Sequence, residues 1–260
     1  MISTMQDKKQ FTFNNKIEKV MAVAAALVLW QLAAVYIGEE ILLVSPLKVV
    51  SRLSELVFEA EFWGAVLFSF KRITGGFLIA VISGITLAVA AHHFRIVEVF
   101  LWPYMAVIKA IPVASFIILC LIWLNSSTLP AFISFLIVLP VIYTNMLAGF
   151  KSTDKKMLEM AKIFRLSFRK KLVFIYLPKL KPYIISALSI SLGLAWKSGV
   201  AAEIIAISDG SMGEMLYNAK LYLATADLFS WTVTIVIVSI IFEKVILWAV
   251  NKTFEKLEDM

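Results

Sequence analysis

Residues 151–184 read KSTDKKMLEMAKIFRLSFRKKLVFIYLPKLKPYI. Ten of the chain's 25 basic residues fall between 151 and 182, from Lys151, Lys155 and Lys156 to Lys179 and Lys181, and only Asp154 and Glu159 oppose them. Apolar runs flank this stretch, about Leu129 to Phe150 before it and Tyr183 to Ile207 after it. Each approaches the ~20 residues that a helix needs to cross a bilayer. A basic segment between two such runs marks the cytoplasmic face. Inside it, Met157, Met160, Ala161 and Phe164 recur at helical spacing, followed less regularly by Leu172, Phe174, Ile175 and Tyr176. The pattern predicts two short amphipathic helices joined by a turn near Arg165–Ser167 and stopped at Pro178.

The composition agrees with a membrane setting. Of 260 residues, 61% are hydrophobic and 17% charged, against roughly 45–50% and 25% in ordinary soluble domains. These figures exclude a cytosolic enzyme, a disordered chain and a small disulfide scaffold. Cys120 is the single cysteine, in the apolar setting FIILCLIWL, so no internal disulfide or Cys-rich metal site is expected. The net charge of +7 is concentrated in the 151–182 loop, and no nucleic-acid partner is expected.

Six spans are predicted: Val20 to Gly38, Ile73 to Ala91 with an amphipathic lead from Trp63, Val97 to Leu124 interrupted by Pro103 and Pro112, Leu129 to Phe150, Tyr183 to Ile207, and Phe229 to Val250. The loops opposite the basic one carry eight acidic residues, among them Glu55, Glu59 and Asp227, against three basic ones. The expected fold is an all-α six-helix transmembrane bundle with both termini cytoplasmic. Residues 1–19 and 251–260 form cytoplasmic tails, and 20–250 form the membrane domain. The N-terminal run is read as an uncleaved first span.

Small residues recur every fourth position in span two, at Gly76, Ala80, Gly84 and Ala88. In span five Ser189, Gly193 and Ala201 share one stripe, and Ala195 and Gly199 another. Both patterns predict close helix packing. Lys109, Lys197 and Glu203 lie inside apolar stretches, where a charge costs at least ~2.5–3.5 kcal/mol and therefore faces protein or water. Lys197 and Glu203 are six positions apart, about 240° around the helix, so they do not pair along one face. With Pro112 and Trp196 they are candidates to line a polar path, the lysines favouring anions. Helix–helix ion pairs or snorkelling are the structural alternative. No H-E-x-x-H, G-x-S-x-G or G-x-x-x-x-G-K-[ST] occurs, so no catalytic residue, metal or cofactor is expected on this chain.

The basic loop resembles that of the permeases of bacterial ABC importers, which has the form E-A-A-x3-G-x9-I-x-L-P. Glu159, Met160 and Ala161 match its opening, and Ile175, Leu177 and Pro178 its end, with the 19-residue step from Glu159 to Pro178 kept. Arg165 stands at the family's glycine. SPLKVV near Ser45 and AWKSGVAAEIIA look like the nitrate, sulfonate and taurine subfamily. The resemblance implies a type I importer permease in the bacterial inner membrane, paired as a homodimer or pseudo-dimer. It implies two cytoplasmic ATPase subunits and an extracytoplasmic solute-binding protein as partners, with ATP hydrolysed on separate chains. Met157, Glu159, Ala161, Phe164, Leu177 and Pro178 are then expected to form the ATPase contact. The implied solute is a small anion or a vitamin precursor. The other class considered is a secondary transporter driven by an ion gradient, with Lys197 and Glu203 relaying charge; the absence of obvious internal repeats speaks against it.

Overall fold

The computed structural model describes residues 15–258, and these are helical with no strand among them. Most of the expected N-terminal tail, residues 1–14, lies outside the described residues, as do residues 259–260. The helices are α1 (Asn15–Ile37), α2 (Pro46–Leu56), α3 (Ala60–His93), α4 (Arg95–Ala110), α5 (Val113–Cys120), α6 (Leu129–Lys151), α7 (Lys155–Ile163), α8 (Phe168–Lys171), α9 (Leu177–Ala206), α10 (Met212–Leu221) and α11 (Thr225–Glu258). A π-helical turn, Leu172–Tyr176, joins α8 to α9. Among the described residues, five stretches are long and apolar enough to cross a membrane: Ile17–Ile37, Ala60–His93, Leu129–Lys151, Leu172–Ala206 and Thr225–Leu257. The pair α4–α5 makes a sixth when taken as one span, bent by 104°.

That bend locates the interruption of the third predicted span. Pro103 lies inside an unbroken α4. The break is at Pro112, which precedes α5, and Ile111 before it is extended, with ψ 130°. A proline ring pushes the preceding residue out of helical geometry, so the chain turns there.

The bundle is built on α3, α6 and α9. The stripe Gly76, Ala80, Gly84 and Ala88 is buried as predicted. A Cβ on Gly76 would stand 2.0 Å from the Ala131 carbonyl oxygen, so only glycine permits this approach of α3 to α6. One turn further along α6, the Ser134 hydroxyl donates to the Ala195 carbonyl of α9 at 3.1 Å. The aromatic ring of Phe242 fastens α11, edge-on to Phe70 and Phe77 at 5.4 and 5.8 Å. α1 is attached through Trp30, whose indole donates to the Val44 carbonyl at 3.0 Å.

Two expectations are corrected. Pro178 does not stop a helix: it lies in the first turn of α9, which begins at Leu177 rather than near Tyr183. Proline in a first turn forfeits no bond that the helix needs. The π-helical turn ahead of it, with Leu177 N–H bonded to the Leu172 carbonyl, changes the hydrogen-bond register just where an α-helix would ask Pro178 for a donor. The basic segment from Phe168 onward therefore runs straight into the fifth predicted span. The loops at the acidic end also hold two helices that the sequence reading did not place, α2 and α10. Val49, Leu53 and Leu56 recur at helical spacing in α2, and both helices carry start signals: Ser45–Pro46 is a cap followed by a first-turn proline, and Ser211 with Glu214 has capping-box spacing. The Ser211 hydroxyl accepts Glu214 N–H at 3.0 Å.

Candidate translocation path and coupling loop

At the basic end, α7 starts on Asp154, whose carboxylate accepts Lys156 N–H at 2.9 Å. The helix closes through Arg165, which takes φ +48°. Leu166 N–H bonds the Ala161 carbonyl at 2.9 Å and Arg165 N–H bonds the Lys162 carbonyl at 3.1 Å. This pair of bonds around a left-handed residue is the Schellman ending, which glycine fills most cheaply. The departure from the family pattern thus leaves the turn intact and puts a side chain in glycine's conformation.

The residues expected to meet a partner divide on this small element. Met157 and Phe164 are exposed, the latter by 71%, and Glu159 is exposed beside them. Met160 and Ile163, absent from the expected set, are exposed too, although Met160 had been read into the helical pattern. Ala161 is 0% exposed: its side chain seats α7 against the chain itself rather than presenting a contact. Leu177 and Pro178 lie at the start of α9, where they line a cavity of about 200 Å³ with Phe254.

The membrane-embedded candidates separate just as sharply. Lys197 is exposed and has no hydrogen-bond or ion-pair partner among the described residues. Its stripe-mate Gly193 has open space where a Cβ would go, so the Gly193–Lys197 part of this face is not packed within the chain, against the expectation of close packing, while Ser189 a turn earlier donates to Glu243 of α11 at 3.3 Å. Lys109 is exposed and donates to the Thr144 hydroxyl at 3.2 Å. Pro112 marks the α4–α5 bend. Trp196 is 1% exposed and sits in the core.

Glu203 faces the other way and is 0% exposed. Its Oε2 accepts the Ser69 hydroxyl at 2.8 Å and Gly213 N–H at 3.1 Å. Ser69 in turn accepts Met212 N–H at 3.0 Å. A carboxylate at the positive end of α10 is well placed electrostatically. In this state the group fastens α10 to α3 and α9 and borders no open path. Glu203 and Lys197 do not meet, as their angular separation predicted. Nearby, Arg52 of α2 binds Asp227 of α11 and donates to Glu55 at 2.9 Å. Those bonds, Asp227 first, hold its guanidinium above the usual arginine value.

A family model described as "Binding-protein-dependent transport system inner membrane component" matches residues 76–255, which include every candidate residue named for the path and the loop. Among similar proteins, the taurine transport system permease protein TauC of Escherichia coli (strain K12) is 27% identical over 220 residues, covering 82% of this chain and 80% of that one. The putative aliphatic sulfonates transport permease protein SsuC of Bacillus subtilis (strain 168) is 24% identical over 219 residues, 83% and 78%. The nitrate import permease protein NrtB of Synechococcus elongatus (strain ATCC 33912 / PCC 7942 / FACHB-805) is 25% identical over 211 residues, 77% and 75%. With the helical bundle, the basic loop and these matches together, the chain belongs to the inner-membrane permease family of binding-protein-dependent ABC importers.

Proposed function

We propose that this chain is the membrane-spanning subunit of an ATP-driven importer for a small anion. Two copies form the path, two ATPase subunits dock on the basic loop, and a solute-binding protein delivers cargo at the acidic end. Both termini lie on the cytoplasmic side of a bacterial inner membrane. The observation that carries this reading is the exposed apolar face of α7, with Met157, Met160, Ile163 and Phe164 beside Glu159. An apolar patch outside the bilayer calls for a protein partner, and a helix presenting knobs at this spacing suits a groove. Because α8, the π-helical turn and α9 form one helical run, movement of the ATPases at α7 passes through the Arg165 turn into the helix that carries Lys197.

The open stripe of α9 supports the paired path. Nine residues separate Lys197 from Ala206, about 14 Å along the helix. An unpartnered ammonium at that depth is costly against lipid, whereas water or an anion between two copies would accommodate it. The solute class follows from the lysines and from the names of the similar permeases. Alternating access then requires a bundle with two arrangements that the ATPases bias.

The test is copurification of the tagged chain in mild detergent, followed by uptake. An ATPase is expected at near-equal amount, and Phe164→Asp is expected to release it. Uptake is expected to survive collapse of ion gradients at constant ATP. Loss of uptake under that collapse, with no ATPase captured even after crosslinking, would overturn the reading in favour of an ion-driven carrier.

A further inference from the structure

The open face of α9 carries opposite charges on its two flanks. Around the helix axis from Lys197, Ser189 lies about 80° to one side, and Tyr183 and Leu180 about 40° and 100° to the other. The Ser189 hydroxyl donates to Glu243 of α11 at 3.3 Å, so α11 borders the face on the first side. A Cβ on Gly149 of α6 would stand 2.7 Å from Leu180 and 3.1 Å from Tyr183, so α6 borders it on the second. There Thr144 of α6 accepts a hydrogen bond from the Lys109 ammonium at 3.2 Å.

The two flanking charges also share a depth. α6 and α9 run antiparallel, with Ser134 at Ala195 and Gly149 at Leu180 and Tyr183. Thr144 is five residues before Gly149, about 7.5 Å along the helix, which brings it level with Ser186 of α9. Ser189, and with it Glu243, stands one turn away. Glu243 is deep in its span, roughly 27 and 21 Å from the two ends of the Thr225–Leu257 stretch. Apart from the Ser189 hydroxyl it has no partner among the described residues, and no cation pairs with it. A carboxylate at that depth calls for a cation or water. Within one chain the width of α9, about 10–12 Å with its side chains, keeps Lys109 away from it.

A twofold axis removes that separation. Two copies inserted in the same orientation are related by an axis along the membrane normal. When that rotation brings the two open faces together, the right flank of one copy meets the left flank of the other at the same depth. We propose that a second copy of this chain covers the open face of α9, with Lys109 of each copy paired to Glu243 of the other. Lys197, at the centre of the face, then stands across the axis from its own equivalent, and an anion or water between the two ammonium groups relieves both. The proposal rests on the reading that two copies form the path, and it adds which faces meet and which charges join them.

The experiment uses the full chain in membranes. In a Cys120→Ala background, Lys109→Cys with Glu243→Cys is expected to give a linked dimer with a short bismaleimide, and either cysteine alone to give none. In the otherwise native chain, Lys109→Glu or Glu243→Lys is expected to lower the dimer fraction by about tenfold or more. The two reversals together are expected to restore it, which separates a lost pair from a folding defect. A chain that dimerises without linking the paired cysteines overturns the proposal and leaves the importer reading intact. So does a dimer fraction that neither single reversal moves. A chain that stays monomeric, or that takes a different permease chain as partner, overturns it as well, and ATPase capture measured on the same membranes then decides whether the importer reading stands.

Discussion

The carboxylate of Glu203, near the end of α9, accepts the backbone N–H of Gly213 in the first turn of α10 at 3.1 Å. A Cβ on Gly213 would stand 2.3 Å from the Glu203 Cβ, so glycine is what lets the two segments meet. Through Ser69 the same oxygen reaches α3. Three elements at the acidic end therefore share one buried carboxylate.

Gly213→Ala and Glu203→Leu are expected to loosen α10. Removing the carboxylate leaves buried N–H and O–H donors without acceptors, at about 1–3 kcal/mol. Glu203→Gln keeps an acceptor and should cost less. Thermal melting in detergent reads the order; a Glu203→Leu protein that melts with the native chain would remove the fastening role.

Two glycines that look alike in sequence should behave differently. Gly76→Ala drives a methyl into the Ala131 carbonyl and is expected to destabilise by about 1–3 kcal/mol as overpacking. Gly193→Ala meets open space and should leave the melting temperature of the single chain unchanged. If Gly193 faces a second copy, Gly193→Trp will fold normally but weaken dimerisation or uptake, measurable by size and transport together.

Arg165 holds a left-handed conformation that costs an ordinary residue about 1–2 kcal/mol. Arg165→Gly should relieve part of that cost and slow hydrogen exchange in α7. Arg165→Val should speed it, because a β-branched side chain tolerates positive φ poorly. Exchange that is identical in all three proteins would contradict the turn geometry.

Within α7, burial separates seat from contact. Ala161→Trp is expected to displace the whole helix, since Ala161 has no exposed surface. Phe164→Asp should preserve the α7 exchange pattern while losing ATPase capture. Equal disruption of α7 by both variants would mean that Phe164 is structural as well.

The Arg52–Asp227 pair ties α2 to α11 with both side chains about a third exposed, 30% and 29%. Partial exposure limits its worth to roughly 1 kcal/mol. Arg52→Gln should lower stability by that amount at low salt, and by less in 1 M salt. A loss that does not depend on salt would point to packing of the arginine stem instead.

Much of this molecule was legible in one dimension. Run length and lysine placement depend on the bilayer, whose thickness and charge asymmetry are the same for every chain. They were enough to locate the apolar helices, the basic loop and its amphipathic turn, and the small-residue stripe of α3. α10 was missed because its signal is a cap a few residues long, and α2 because the helical spacing of Val49, Leu53 and Leu56 occupies a run too short and polar to read as a span. Pro178 was misread because a proline that ends one helix and a proline in the first turn of the next look the same until the π-helical turn before it is seen.

What the sequence alone determined is that the chain is a membrane bundle of this permease family with a basic, amphipathic loop between its fourth and fifth predicted spans. Only the tertiary structure decided which charges are sealed and which are open. Helical periodicity gives each residue an angle on its own helix but does not say which neighbour fills that angle. Glu203 and Lys197 lie on one helix, each in a small-residue stripe. Packing closed α3 and α10 over the first and left the second facing outward.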